Sequence, residues 1–156
     1  MRLTTRSNLA MRTLMFCGVN NTSLVRKSDI AVACNVSENH LAQVVNNLAQ
    51  MGFLDTQRGR TGGMRLGRPM ESIKVGEVLR KFESGVPFVE CFDEKLNTCP
   101  LYAGCRLRGA LADAQEAFYA ALDSISLADL LRDNTTLEAI LRHSGERQSA
   151  SCMMHA

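Results

Sequence analysis

Cys91, Cys99 and Cys105 fall within fifteen residues of one segment, Cys91-Phe92-Asp93-Glu94-Lys95-Leu96-Asn97-Thr98-Cys99-Pro100-Leu101-Tyr102-Ala103-Gly104-Cys105. Thiolates are soft donors, so three on one polar, Gly- and Pro-bearing loop suit zinc, copper(I) or an iron-sulfur cluster, and deprotonation on binding ties the loop into one shape. The C-x7-C-x5-C spacing lacks the paired C-x2-C knuckles of a structural zinc site. A proline directly after Cys99 is a weak iron-sulfur sign. Two other readings of the trio are inert core cysteines, which the polarity of the loop disfavours, and redox-active thiols that bind no metal.

Six cysteines in a reducing compartment are not expected to form a disulfide framework. Cys17 and Cys34 lie among apolar helix positions, where a free cysteine acts as a small buried hydrophobe. Cys152 and His155 belong to a tail that starts near His143, is rich in Ser, Gln and Met, and is expected to be disordered. His40, His143 and His155 are remote in sequence from the cysteine loop, and no Ser/His/Asp or Cys/His arrangement is evident, so the chain is not expected to be an enzyme.

A second group of residues could meet a polyanion. Asn39, Gln43, Asn46 and Gln50 share one side of a predicted helix, with His40 and Asn47 flanking that face and Ser37 at its start. An amide carries a donor and an acceptor close together, the arrangement that pairs with an adenine edge in the major groove. Beyond it, Gln57-Arg58-Gly59-Arg60-Thr61-Gly62-Gly63 puts three glycines and two arginines at a hairpin tip, and Arg65 follows on the return strand. Such arginines reach phosphates or an adjacent minor groove. The charge distribution agrees: residues 1–80 hold eleven Lys/Arg against five Asp/Glu, a balance of +6, whereas residues 81–156 hold seven against eleven, a balance of −4. The partner expected for the basic half is double-stranded DNA.

These residues need elements to position them. Thr4 or Thr5 can cap a first helix to about Cys17, with Leu9, Thr13, Leu14 and Cys17 on its buried side. A short helix over Ser28–Ala33 leads through Cys34-Asn35-Val36 to Ser37, which caps a third helix running to Met51. Leu41, Val44, Val45 and Leu48 form its core stripe. Two strands, Phe53–Thr56 and Met64–Leu66, flank the basic tip, and the pattern Ile73, Val75, Val78, Leu79, Phe82 predicts a fourth helix. After Cys105, apolar residues recur at Leu107, Leu111, Ala114, Phe118, Leu122 and Ile125, the signature of a long helix whose face packs against a second copy. An intramolecular cap is the other reading of that face. Ser126–Leu131 restarts as a short helix that folds back.

The predicted fold is therefore mainly α with a small β-hairpin: a winged helix-turn-helix over 1–84, a cysteine loop over 85–106, a dimerisation helix and return segment over 107–132, and a C-terminal extension over 133–156. No run approaches the length of a membrane span, and Met1 to Arg6 lacks the apolar stretch of a signal peptide, so a cytoplasmic homodimer is expected.

Met1-Arg2-Leu3-Thr4, Val36-Ser37-Glu38-Asn39-His40-Leu41, the wing from Arg58 to Leu66, the three-cysteine loop followed by Arg106-Leu107, and Leu127-Ala128-Asp129-Leu130 together resemble the iron-sulfur winged-helix repressor family that includes NsrR, IscR and RirA. The resemblance spans roughly residues 1 to 132. It runs closest to the nitric oxide-sensing, NsrR-like members, with the iron-responsive RirA-like members second. It implies a dimeric DNA-binding repressor whose Cys91, Cys99 and Cys105 ligate an iron-sulfur cluster, 4Fe-4S in preference to 2Fe-2S, and whose DNA is released when nitric oxide damages that cluster. IscR-like members carry a histidine three residues after the third cysteine, where this chain has Arg108. Some NsrR-like members take a fourth ligand from an aspartate on the partner's first helix, and the matching position is Asn8. A zinc-stabilised interaction module is the alternative from another class.

Overall fold

Thr4 starts the first helix, its hydroxyl accepting from the Ser7 N–H at 3.2 Å in a computed structural model that describes residues 3–142. Helix α1, Thr5–Val19, is the centre of the molecule, with Leu9, Ala10, Thr13, Leu14, Phe16 and Cys17 all buried. The buried Thr13 hydroxyl is satisfied by donating to the Leu9 carbonyl at 2.8 Å.

Helix α2, Lys27–Cys34, ends on Asn35, whose φ of 51° places it in the left-handed region that asparagine tolerates better than most side chains. That turn aims the chain at Ser37, the N-cap of α3, Glu38–Gln50. Leu41, Val44, Val45 and Leu48 are buried, as their spacing predicts. The hairpin pairs β1, Leu54–Gln57, with β2, Gly63–Leu66, in the register Leu54↔Leu66 to Gln57↔Gly63. Sequence periodicity does not reveal its third rung. Val25 exchanges two backbone hydrogen bonds with Met64, at 2.9 and 2.8 Å. A Cβ on Gly63 would lie 2.7 Å from the Val25 carbonyl oxygen, so this close approach requires glycine.

Helix α4 spans Val75–Glu83, starting two residues after the predicted Ile73, which is itself buried. Helix α5 spans Arg106–Asp123. Its predicted stripe needs one correction: Ile125 lies beyond the helix, where its carbonyl accepts from Val75 N at 2.9 Å. The C-terminal half of α5 is docked on its own subunit: Tyr119, buried, joins Val75 and Leu79 in a second apolar cluster against which Phe118, Leu122 and Ile125 pack. The N-terminal half is open, with Leu107 64% exposed. The intramolecular reading therefore holds for the C-terminal half, and the other half is free of its own subunit at Leu107.

Two short helices complete the main core. In α6, Leu127–Leu131, the residues Leu127 and Leu131 are buried against α1. Helix α7, Thr135–Leu141, goes beyond the predicted elements, and it buries Leu141, whose carbonyl accepts from Asn20 Nδ2 at 2.9 Å. The tail expected to be disordered from about His143, with Cys152 and His155, lies outside the described residues. No described helix is long and apolar enough to cross a membrane.

Candidate nucleic-acid interface and thiol loop

The turn between α2 and α3 presents the amide face to solvent. Ser37, Asn39, His40, Gln43, Asn46 and Gln50 are exposed and Asn47 half-buried, while the opposite face of α3 lies in the core. Ser37 is partly committed, because its Oγ accepts from His40 N at 3.4 Å. Its hydroxyl proton is left to donate, as a cap residue beside a phosphate would.

Gly59, at φ 108°, and Gly62, where a Cβ would lie 2.9 Å from the Gly59 carbonyl oxygen, fold the hairpin tip tightly. Arg58 and Arg60 project from it, both exposed, and no salt bridge among the described residues engages either. Arg65 faces Asp55 across the hairpin, Nε to Oδ2 3.8 Å, an exposed pair too weak to hold it from another anion. Arg68 is different. Its guanidinium makes hydrogen bonds of 3.0 and 3.1 Å to Glu77 and stacks 4.3 Å from the Phe53 ring centre, which pins the hairpin to α4.

The three loop cysteines are free thiols, each partly accessible. Glu90 Oε1 accepts from Thr98 N at 2.6 Å and from Thr98 Oγ1 at 2.7 Å, so the residues preceding Cys91 and Cys99 are joined. Cys105 is the N-cap of α5, and Arg108 in its first turn donates from Nε to the Cys91 carbonyl at 3.2 Å. The loop thus brings all three backbones to the head of α5. Among the described residues no three His, Cys, Asp or Glu side chains converge as a metal-holding group, so ligation by all three sulfurs requires the loop to close further. The donor set otherwise fits a thiophilic centre: soft ligands on irregular backbone that can adjust.

Cys105 and Arg108 line an open cleft of about 1300 Å³ between the loop, α4 and α5. Glu83, at the end of α4, lines it too. Glu83 Oε1 also accepts from Thr4 N at 2.8 Å and from the buried Ser7 hydroxyl. Asn8 follows Ser7 in the chain and is exposed, and it does not line the cleft. On α4, Arg80 reaches Asp123 at 3.0 Å and Glu116 at 2.9 Å and covers the Tyr119 ring. Through these contacts α5 is bolted to the winged part, and the loop is tied to α5 by Arg108.

Cys17 and Cys34 are buried elsewhere. Burial, reinforced by Cys34, pushes the Cys17 thiol up to about 12, and burial raises Cys34 as well despite the Arg12 guanidinium nearby. Both stay protonated and inert, as their apolar settings predict. Sequence reasoning missed Glu90, Thr98 and the bonding role of Arg108. A glutamate just before Cys91 and a threonine just before Cys99 were the only trace.

The model of the Rrf2 family, described as an iron-dependent transcriptional regulator, matches residues 3–133. The HTH-type transcriptional regulator NsrR of Geobacillus kaustophilus is 41% identical over 143 residues, covering 91% of this chain and 97% of that protein. Its Bacillus subtilis counterpart is 37% identical, covering 91% and 98%. The solved structure of T. potens IscR aligns with a TM-score of 0.66 at 24% identity, covering 85% of this chain and 88% of that one, which supports the fold. With a winged helix-turn-helix, a long helix headed by the cysteine loop, and a family match across both, this chain belongs to the Rrf2 family of transcriptional regulators.

Proposed function

We propose that this chain is a DNA-binding repressor that senses nitric oxide through an iron-sulfur cluster on Cys91, Cys99 and Cys105. The observation that carries the reading is mechanical continuity: the thiol loop is bonded to α5 through Arg108, and α5 is bolted to the winged part through Arg80 and Tyr119. A change at the thiols is thereby transmitted to the DNA-reading face. The nitric oxide assignment is supported by the relatives named NsrR.

In the bound state α3 enters a major groove, where Asn39, Gln43 and Asn46 read base edges and His40, Asn47 and Ser37 contact the rim. Arg58, Arg60 and Arg65 on the hairpin neutralise phosphates. The exposed Leu107 and the half-open start of α5 meet the same surface of a second copy, so two α3 helices lie about one DNA turn apart. The cluster, a 4Fe-4S centre in preference to 2Fe-2S, supplies iron-thiolate bonds that lock the loop and iron that nitric oxide attacks. At the position where some NsrR-like members bring an aspartate from the partner subunit, Asn8 offers only a neutral amide, a weak iron ligand that would leave an exchangeable position. Once the thiols are released, the loop that Arg108 ties to α5 relaxes, the head of α5 is free to shift against its partner copy, and the spacing of the two α3 helices drifts from that of the half-sites.

The test is anaerobic. Purified protein is expected to show visible charge-transfer absorption that is lost when Cys91, Cys99 or Cys105 is changed to Ala and kept when Cys17, Cys34 or Cys152 is. A few equivalents of nitric oxide should release it from a DNA fragment selected from a random pool. Full chromophore in Cys99→Ala removes the ligand assignment. A second reading, iron supply as the signal, is favoured by the family's description as iron-dependent. Persistent DNA binding after nitric oxide has bleached the spectrum, with release on iron chelation, would replace the first reading with it. A colourless protein containing zinc would instead point to an interaction module.

A further inference from the structure

We propose that Glu90 and Arg108 are positioning residues that shape the thiol loop before any metal binds, a role that rests on the cluster reading above. Between them they fix the backbone next to Cys91 and Cys99 and join it to α5, the helix that Cys105 caps. Glu90 gathers the N–H and the hydroxyl of Thr98 onto one carboxylate oxygen, at 2.6 and 2.7 Å, which clamps the two strands of the loop one residue ahead of Cys91 and of Cys99. Asn97 Oδ1 accepts from Cys99 N at 3.1 Å and sets the direction in which that residue leaves the clamp. Arg108 acts from the helix side. Its Nε holds the Cys91 carbonyl at 3.2 Å, and its guanidinium lies 4.5 Å from the centre of the Tyr102 ring. Tyr102 N in turn donates to the Cys99 carbonyl at 3.3 Å. One side chain on α5, three residues after Cys105, thus touches the backbone carrying Cys91 and the turn that connects Cys99 to Cys105.

A flexible fifteen-residue loop would lose its backbone freedom at the moment of ligation, which weakens binding. Here part of that ordering is present in the bonded backbone, and the further closing that brings the sulfurs together starts from it. Isolated surface ion pairs contribute little, but these contacts are not of that kind. The glutamate accepts two hydrogen bonds from one residue, and the planar guanidinium donates and stacks at once, which a lysine cannot reproduce. Groups that orient ligands without touching the metal affect its retention strongly.

The experiment uses the full-length chain as wild type, Glu90→Ala, Glu90→Gln, Arg108→Ala and Arg108→Lys. Metal-free protein is examined by amide hydrogen exchange at Thr98 and Cys99 and by near-ultraviolet circular dichroism, which reports tyrosine in a chain with two tyrosines and no tryptophan. After anaerobic reconstitution with iron and sulfide, iron loss to a chelator is timed. Glu90→Ala and Arg108→Ala are expected to lose amide protection in the metal-free state and to release iron roughly tenfold faster, with the thermal midpoint unchanged. Glu90→Gln, which keeps an acceptor oxygen, should stay near wild type, and Arg108→Lys should fall between. Unchanged protection and release in both alanine variants overturns the proposal. A wild type that takes up no iron and sulfide overturns the cluster reading alone, because exchange in the metal-free protein still decides whether these residues order the loop.

Discussion

Glu83 and Thr4, seventy-nine residues apart, close the junction between the end of α4 and the start of α1, with Thr4 N 2.8 Å and Thr4 Oγ1 3.0 Å from Glu83 Oε1. The buried Ser7 hydroxyl donates to the same oxygen. A carboxylate at a helix N-terminus also meets the positive end of the helix dipole. Glu83→Ala leaves Ser7 without this acceptor and should cost about 1.5–3 kcal/mol of unfolding free energy, the range for hydrogen bonds to a charged group. Glu83→Gln, which retains an acceptor, should cost less. Urea unfolding of both variants checks the order, and equal losses would remove the carboxylate from the explanation.

Gly76 is where α4 and α5 touch backbone to backbone. A Cβ there would fall 2.5 Å from the Tyr119 carbonyl oxygen and 2.8 Å from Asp123 N. Backbone cannot swing aside, so Gly76→Ala should push α5 from α4 at a cost of about 1–3 kcal/mol. It should also weaken DNA binding, since the Arg80–Asp123 contact spans the same seam. Gly85→Ala is the control, because nothing lies within 4 Å of its added methyl. Similar melting of the two variants would show that the seam is not tight.

At the DNA face, Arg58→Ala and Arg60→Ala should each weaken binding to all sequences alike and lower the salt slope by about one unit. Asn39→Ala or Gln43→Ala should instead relax base preference, at roughly 1–3 kcal/mol for a lost bidentate contact. Binding measured over a salt series on selected and scrambled DNA distinguishes the two. An unaltered slope in both wing variants would take the hairpin off the DNA.

Cys17 supplies an alkaline signature. Its folded thiol is raised from 9.0 to about 12, chiefly by burial. A group raised on folding contributes stability that is complete below its unfolded value and drains as pH climbs toward the folded one. Unfolding free energy should therefore decline above about pH 9, and Cys17→Ala should flatten that limb while costing stability at neutral pH. Mass mapping of the native protein after brief alkylation should show Cys91, Cys99 and Cys105 modified and Cys17 and Cys34 untouched. Early modification of Cys17 would mean that α1 opens far more readily than its packing implies.

Glu77 works in the acid direction. Burial alone would raise its carboxyl, yet hydrogen bonds from Arg68 and Lys81 outweigh that and hold it below its ordinary 4.5. The stability it contributes is present above pH 4.5 and is lost as pH falls through the depressed value. Glu77→Gln should make acid unfolding between about pH 5 and 2 less steep, seen by circular dichroism. An identical acid limb would show the Arg68–Glu77 pair to be inert.

Patterns that repeat along the chain are legible in the residues alone. The 3.6-residue stripe of Leu41, Val44, Val45 and Leu48 determined which face of α3 is buried and so left Asn39, Gln43 and Asn46 outside. Glycines around Arg58 and Arg60 marked the hairpin, and the clustered thiols marked the loop, because turn geometry and ligand chemistry are local properties of residue type. Contacts between distant residues leave no such trace. Arg68 has the same side chain as Arg60, and only the fold puts it against Phe53 and Glu77 instead of in solvent. Helix α7 is seven residues long, too short for a periodic signal, and is placed by the core it reaches through Leu141. The long apolar stripe of α5 could be read as facing a partner or its own subunit. Tertiary packing docks the half that carries Tyr119 on its own subunit, where Val75 and Leu79 of α4 meet it, and leaves Leu107 exposed. The Glu90–Thr98 clamp and the reach of Arg108 to Cys91 likewise exist only because the loop folds back on α5, an arrangement set by many weak long-range contacts at once and by no single stretch of sequence.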